Sequence, residues 1–345
     1  MRIAGIFLPF CFLLLYIFEL ISKKNEIKLN FIFLLIVSYL FFLTIFWPLL
    51  WENWPQGLFS LFNLEMSWGG RVHFLGEYYR SQYLPQYYLI FWILISTPLP
   101  HLFLFFHGFF NYSRRLTLRY FKIKNNSPYN DLWRSVEERK DFFIFLNLVS
   151  FVCVLSLFNI DLYNSWRLGY FLYIFILYFS VYSIYLIIKV KRKNYLNKLL
   201  IFSILIIFLL FRNFIYHPYQ SLYFNVLVPN QIKNDLDVDY TGLSGLPFLK
   251  EIIKKEPGNH LIKVGVNSWY PLWRMVELLD LKDRKRIEIL ENEKKDQADY
   301  LYSNRIFDVD KRYYKKYDVP KQFNKVREFK IDSTIIYEVY ERSKK

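Results

Sequence analysis

Six apolar runs of about membrane length restrict what this sequence can fold into. They cover residues 3–21, 31–50, 88–110, 142–158, 170–188 and 199–214. A helix needs about 20 consecutive apolar residues to cross the hydrocarbon core of a bilayer. The chain is also 54% hydrophobic and 21% aromatic, which is typical of an integral membrane protein. The runs therefore predict an α-helical multi-pass membrane protein with about six transmembrane helices.

The basic residues predict the orientation of these helices. A formal net charge of +15 is compatible with nucleic-acid binding, but the Lys and Arg residues cluster at the ends of the apolar runs. This placement favours membrane topology and excludes a nucleic-acid partner. The loops at 22–30, 111–141 and 189–198 carry 16 Lys and Arg, against 3 in the loops at 51–87 and 159–169. The first set is predicted to be cytoplasmic, so the C-terminal region lies outside the cytoplasm of an inner-membrane protein.

This topology also places Met1 outside the cytoplasm, with no preceding segment to carry it there. We therefore expect the sequence to be the C-terminal part of a longer arrangement. Either the open reading frame is truncated, or a separate N-terminal half protein completes it.

Two domains are predicted. Residues 1–216 form a transmembrane helical domain with an outside loop at 51–88, and residues 217–345 form a small extracytoplasmic α/β domain. The second domain has helical patterns at 246–255 and 275–281 and strand patterns at 261–266, 286–290, 300–303, 325–331 and 334–340. Asp332-Ser333 is the predicted hairpin turn between the last two strands. The domain contains no GxGxxG, P-loop or zinc-ligand spacing, so neither a cofactor nor a metal site is predicted.

The outside loop at 51–88 is the predicted functional region. It is rich in Trp and Tyr, and it carries Arg71, His73, Glu77 and Arg80 within ten residues. Aromatic side chains settle where the apolar core meets water, so the loop is expected to lie on the outer membrane face with segments 163–167 and 217–225. Arginines and aromatic rings that converge there suit a lipid-linked phosphate. The alternative is that the same side chains only anchor the chain among lipid head groups.

A sugar-transfer reaction would also need a carboxylate base near the donor phosphate. The outside loops offer Glu52, Glu65, Glu77 and Asp161. None of them stands in a pair or spacing that identifies a base.

Seven segments, taken in order, carry a resemblance to a known family. They are WPLLWENWPQGLFSLF, SWGGRVHFLGEYY, LPQYYLIFWILISTPLP, LYNSWRLGYFLY, HPYQSLYFN, DVDYTGLS and ADYLYSNR. Together they resemble the second half of bacterial membrane glycosyltransferases of the GT-C superfamily, the relatives of dolichyl-phosphate-mannose protein mannosyltransferases (glycosyltransferase family 39).

The resemblance implies an enzyme that transfers a hexosyl or mannosyl group from a polyprenyl-phosphate donor, outside the cytoplasm and with inversion. It implies that Arg71 and Arg167 contact the phosphate and that Trp68, His217 and Tyr219 line the substrate site. The implied partners are a polyprenyl-phosphate-linked sugar, membrane lipids and the N-terminal half protein.

Two departures weaken this expectation of catalysis. The family's catalytic acid lies in a first outside loop that has no counterpart here, so the catalytic residues are unknown. In addition, Leu168 and Thr241 stand where the family has His and Trp. The alternative function is a non-catalytic membrane scaffold, or a lipid-linked-sugar binding protein, of the same architecture.

Overall fold

The computed structural model describes residues 4–21, 29–46, 48, 51, 56, 70–121, 133, 135–157, 161–190 and 195–343. The helices are α1 (Ala4–Ile21), α2 (Leu29–Phe46), α3 (Tyr88–Ser96), α4 (Leu99–Phe121), α5 (Val136–Leu157), α6 (Tyr173–Val190), α7 (Tyr195–Ile215), α8 (Asn230–Asn234), α9 (Gly245–Lys255), α10 (Trp273–Val276) and α11 (Leu281–Arg284). The strands are β1 (Arg71–Phe74), β2 (Glu77–Arg80), β3 (Ile262–Val266), β4 (Ile287–Leu290), β5 (Tyr300–Ser303), β6 (Phe323–Ile331) and β7 (Thr334–Arg342).

The prediction of a multi-pass membrane protein with about six transmembrane helices is wrong. Among the described residues, two helical segments, Val136–Leu157 and Arg167–Lys189, are long and apolar enough to cross a membrane. The apolar stretches Pro9–Leu20, Ile32–Phe46 and Leu200–Ile215 are shorter than that. The chain also contains a five-stranded mixed sheet, so its architecture combines helices with a sheet.

The predicted third span shows the physical reason most clearly. The run at 88–110 is divided by Thr97 and Pro98 into α3 and α4. Proline has no N–H to donate to the helix, and it disfavours helical geometry at the preceding residue. Thr97 accordingly adopts an extended conformation with ψ 133°. The longer helix that follows then carries Arg114, Arg115 and Arg119, which hydrocarbon does not accommodate easily.

The described chain forms two compact units, each built from segments distant in sequence. Unit 1 comprises residues 1–67, 100–160 and 168–193, and unit 2 comprises residues 68–99, 161–167 and 194–345. The predicted domain boundary between residues 216 and 217 stays a prediction.

Unit 1 holds its helices together through a close backbone approach and aromatic packing. A Cβ atom on Gly108 of α4 would lie 2.0 Å from the carbonyl oxygen of Phe179 on α6, so only glycine fits there. This approach lets Phe109 pack against Phe179 and Phe145, with ring centroids 5.5 and 5.4 Å apart. Unit 1 therefore has an aromatic centre between α4, α5 and α6.

Ion pairs also link the helices of unit 1. Arg119 on α4 donates to both carboxylate oxygens of Glu138 on α5, at 2.5 and 2.9 Å. Arg115 donates to Asp141 on α5 at 3.3 Å. Each of these arginines therefore has an acidic partner on the neighbouring helix.

Unit 2 is centred on the five-stranded sheet, whose strand order is β4-β3-β5-β7-β6. Strand β3 is parallel to β4 and β5, whereas β7 is antiparallel to β5 and β6. On one face, Phe248 of α9 packs on Tyr302 and Tyr337, with ring centroids 4.9 and 6.2 Å apart. Another cluster of buried side chains contains Leu290, Ala298, Leu301 and Phe323. Tyr302 and Leu301 belong to different clusters because neighbouring strand residues face opposite sides.

The sequence-predicted strands of residues 217–345 are confirmed to within two residues at each end. The predicted hairpin turn is confirmed as well, since Asp332 and Ser333 have φ of 43° and 67°. The predicted helix at 275–281 is wrong. The structure has only the four-residue helices α10 and α11 on either side of that region, separated by Asp280 in an extended conformation.

Candidate functional site

Residues 71–80 of the loop at 51–88 form a tight hairpin, β1–β2, in unit 2. Its two-residue turn is Leu75-Gly76, with φ of 53° and 81°. Positive φ at both positions is the requirement of a type I′ turn, whose twist matches that of the flanking strands. Val72 and Phe74 alternate with Arg71 and His73, so one face of β1 is buried and the other is polar.

A third extended segment, residues 235–237, runs beside β1. Leu236 forms an antiparallel bridge with Phe74, and the Asp237 N–H donates to the His73 carbonyl at 3.2 Å. The carboxylate of Asp237 then accepts a hydrogen bond from the His73 N–H through Oδ2, at 2.9 Å. Asp237 therefore replaces a backbone carbonyl at the end of this small ladder.

Asp237 is unusual because its carboxyl is buried with few partners. Asp237 is 6% exposed, and its Oδ1 atom has no hydrogen-bond partner among the described residues. Burial raises the pKa of this carboxyl to about 7, and the hydrogen bond from His73 only partly offsets that effect. A carboxyl of this kind exchanges a proton near neutral pH, which is the property of a general acid or base.

Asp239, two residues further on, is buried with more partners. Its carboxylate accepts from the Leu243 N–H at 2.9 Å and from the Ser244 hydroxyl at 2.5 Å. The Ser244 hydroxyl also pairs with the Tyr302 hydroxyl at 2.5 Å. Burial raises the pKa of Asp239 to about 6, because these hydrogen bonds do not fully offset desolvation. This carboxylate fastens the turn before α9 to the sheet, which is a structural role.

The polar face of the hairpin carries His73 and Tyr78. Their rings stack with centroids 4.6 Å apart, and the guanidinium of Arg312 lies 5.9 Å from the Tyr78 ring. Burial lowers the pKa of His73 to about 4, and burial likewise raises the pKa of Tyr78 to about 12. Both side chains are therefore neutral near pH 7, so the histidine does not act there as a cation.

The acids beside this face are already bonded. Arg312 donates to both carboxylate oxygens of Glu77, at 3.0 and 2.7 Å, and also to Asp310 at 2.9 Å. These hydrogen bonds hold the pKa values of both carboxyls below their usual range. Glu77, one of the four acids considered from sequence, is thus engaged in a structural ion pair, and Glu52 and Glu65 lie outside the described residues.

Two arginines stand opposite each other at the open end of the hairpin. Arg71 and Arg80 are direct cross-strand partners, which places them on the same face. Arg71 is half-buried with its guanidinium 5.8 Å from the Tyr314 ring, and Arg80 is exposed.

The other site residues predicted from sequence are dispersed in the described structure. Arg167 and His217 are exposed, and the His217 Nδ1 lies 2.9 Å from Gln220 Nε2. Tyr219 is buried, with its ring 5.8 Å from that of Phe329 on β6, and burial raises its pKa to about 12. Among the described contacts, none joins Arg167, His217 or Tyr219 to Arg71. Trp68 lies outside the described residues.

Although those residues are dispersed, the segments that carry the sequence resemblance are adjacent. Phe74 in SWGGRVHFLGEYY packs on Tyr88 in LPQYYLIFWILISTPLP, with ring centroids 4.8 Å apart. LPQYYLIFWILISTPLP in turn contacts two other segments. The Trp166 Nε1 donates to the Ser96 hydroxyl at 2.8 Å, and the Asn225 side chain donates to the Leu94 carbonyl at 2.6 Å.

The remaining segments extend the same set of contacts. Asp237 opens DVDYTGLS and binds His73, while Asn304 in ADYLYSNR donates to the Asp239 carbonyl at 3.0 Å. Parts of six of the seven segments therefore meet in unit 2, although they span residues 70–305.

Sequence reasoning did not identify Asp237 or the Arg71–Arg80 pair as functional candidates. A signal for the first was available, because DLDVDY alternates acidic and apolar residues with the period of a strand. The Arg71–Arg80 pair depends on the register of the hairpin, and a segment predicted to be a loop has no register.

Comparison with known proteins identifies no relative. No protein-family model matches the sequence, and searches of curated proteins and of solved structures return no match.

Proposed function

We propose that this protein is membrane-associated and transfers a sugar from a polyprenyl-phosphate donor. The observation that carries the proposal is the meeting, in unit 2, of segments that resemble separate parts of a sugar transferase. A shared substrate site needs such adjacency between residues distant in sequence. The apolar segments Val136–Leu157 and Arg167–Lys189 support contact with a membrane, where a polyprenyl chain resides.

Asp237 is the base that we assign to this reaction. It combines a pKa of about 7 with a carboxylate oxygen that has no described partner. A general base works best when its pKa lies near the working pH. Asp237 would accept the proton of the acceptor hydroxyl as that oxygen attacks the sugar and the polyprenyl phosphate leaves. Since the residue is 6% exposed, hairpin β1–β2 must shift for the acceptor to reach it.

The second candidate is a protein that binds the lipid-linked sugar without transferring it. The engagement of the Glu77 carboxylate by Arg312 favours this alternative, because it removes one acid from catalysis. Both candidate functions require binding of the lipid-linked sugar, but only the first includes transfer of the sugar to an acceptor.

The test uses the full chain in nanodiscs with polyprenyl-phosphate donors radiolabelled in the sugar. Binding and transfer to acceptors in a membrane extract are both measured. The variant is Asp237→Asn, which keeps the shape and the acceptor for the His73 N–H. The matched control is Asp280→Asn, because Asp280 is exposed and its side chain forms no capping hydrogen bond.

The enzyme is supported if the parent chain transfers the sugar and Asp237→Asn transfers it at least 100-fold more slowly while still binding the donor. Donor binding without transfer in the parent chain supports the second candidate. A parent chain that neither binds nor transfers the donor contradicts both, and full activity of Asp237→Asn removes this residue from the mechanism.

A further inference from the structure

The open end of hairpin β1–β2 carries two arginines that no described carboxylate bonds directly. Directly opposite residues in an antiparallel pair have Cβ atoms about 5 Å apart, and like charges in that position are destabilising. Arg71 and Arg80 occupy such a position. An anion that contacts both guanidinium groups would relieve this repulsion.

No such anion comes from the described part of the chain. Neither guanidinium forms a hydrogen bond or an ion pair with a described carboxylate. Asp310 lies close enough for the charge of Arg71 to lower its pKa, but Arg312 donates to both oxygens of this carboxylate. Glu77 is held by Arg312 in the same way.

Two kinds of arginine therefore lie at hairpin β1–β2. Arg312 is satisfied by two carboxylates, whereas Arg71 and Arg80 retain their hydrogen-bond donors. The Tyr314 ring lies below Arg71, at 5.8 Å from the guanidinium to the ring centroid, and limits its movement through a cation–π contact. A guanidinium that is held in place loses less conformational entropy on binding a ligand.

We propose that Arg71 and Arg80 together bind a phosphate ester at the open end of hairpin β1–β2. Guanidinium groups present paired N–H donors that match phosphate oxygens, and two of them balance the charge of a phosphate monoester. The pair is small, so it recognises one phosphate group. This inference rests on the proposed function, in which the donor phosphate is a diester that becomes the polyprenyl phosphate monoester when the sugar leaves.

The test measures the affinity of the full chain, in nanodiscs of phosphatidylcholine, for a short-chain polyprenyl phosphate. Inorganic phosphate and vesicles of phosphatidylglycerol serve as competitors. The variants are Arg71→Gln, Arg80→Gln and the double variant, and Arg284→Gln is the matched control because Arg284 is exposed on α11. Hydrogen exchange of residues 70–80 verifies that the hairpin stays folded.

We expect each single variant to weaken polyprenyl phosphate binding by at least tenfold, and the double variant to weaken it by less than the product of the two. Competition by millimolar inorganic phosphate should be seen in the parent chain and lost in the variants. Unchanged affinity in both single variants overturns the proposal. Equal competition by phosphatidylglycerol also overturns it, because a head-group anchor then explains the arginines.

The outcome separates this site from the proposed function. Sugar transfer that persists with unchanged phosphate affinity in the variants refutes the site alone. Phosphate binding that depends on both arginines, without any sugar transfer, supports the site and refutes the enzyme.

Discussion

Ion pairs neutralise charge in both units, but unit 2 also holds charged groups that no described group of opposite charge bonds. In unit 1, each arginine of the helix network has an acid on a neighbouring helix: Arg119 binds Glu138, Arg115 binds Asp141, and Arg139 binds Glu19 at 2.6 Å. In unit 2, buried Asp237 has a backbone N–H as its partner, and Arg71 lies beside another arginine. Charge is neutralised locally where it only holds helices together. It is left available where a ligand or a proton is expected to complete it.

The largest effect that would test this contrast is the pH dependence of unit 2. Folding raises the pKa of Asp237 to about 7, so the folded chain keeps a proton that the unfolded chain loses near pH 4. Stability from this group is therefore complete below pH 4 and is lost as the pH rises to 7, by on the order of 4 kcal/mol.

Urea titration of the full chain in detergent, read by pulse proteolysis of the C-terminal part, measures this slope. Asp237→Asn should reduce the dependence of the free energy of unfolding on pH. A smaller slope of the same sign should remain from Asp239, whose pKa is raised to about 6. An unchanged slope in Asp237→Asn would show that this carboxyl is ionised in the folded chain.

A second test concerns the buried acid that has a structural role. Asp239→Ala removes the hydrogen bonds from the Leu243 and Ser244 N–H groups and from the Ser244 hydroxyl. Leaving these buried donors without an acceptor should lower the free energy of unfolding by about 3 kcal/mol. The same urea titration measures it, and Asp280→Ala is the surface control. A loss below that of the control would contradict the structural assignment.

A third test belongs to unit 1. Glu138→Ala leaves Arg119 without its bidentate partner, while both side chains are about one-fifth exposed. Because solvent screens part of the interaction, we expect a loss of about 2 kcal/mol. Hydrogen exchange across α4 and α5 should show it as faster local opening. Lys140→Ala removes an exposed ion pair of α5 with Glu137 and should have little effect.

The smallest expected effect is a change in the stability of hairpin β1–β2 when Arg80 is replaced. Arg80→Thr relieves the repulsion with Arg71 and places a good strand former in β2. Stability of the hairpin should rise by about 0.5 kcal/mol, seen as slower hydrogen exchange of residues 70–80. A clear loss of stability would mean that Arg80 has a structural partner, and the contrast between the units would then fail.

The sequence predicts the sheet of unit 2 better than it predicts the hairpin. Strand β5 alternates apolar residues between two buried faces, and the Asp332-Ser333 turn has residues that tolerate positive φ, so both were predicted. The sequence predicts a loop where hairpin β1–β2 forms, because the turn begins with Leu75, a residue type that rarely adopts positive φ. Only the alternation of polar and apolar residues in RVHF indicated a strand there.

The prediction of about six transmembrane helices was wrong for a related reason. A hydropathy average is taken over a window of residues, so it does not show that the helix is interrupted at Pro98. For the site, sequence alone placed Arg71 and Arg80 in one segment. It could not pair them across a strand register, nor bring Asp237 beside His73, because both depend on tertiary contacts.

The hydrogen bond between His73 and Asp237 sets an order of events during synthesis. Its two partners are 164 positions apart in the chain. At about 5–20 residues per second, the ribosome delivers the aspartate roughly 8–33 seconds after the histidine. Throughout that interval β1 keeps an open edge, which is a site for pairing with other chains. We therefore expect the nascent hairpin to depend on shielding, by a chaperone or by the membrane surface, until residues 235–237 arrive.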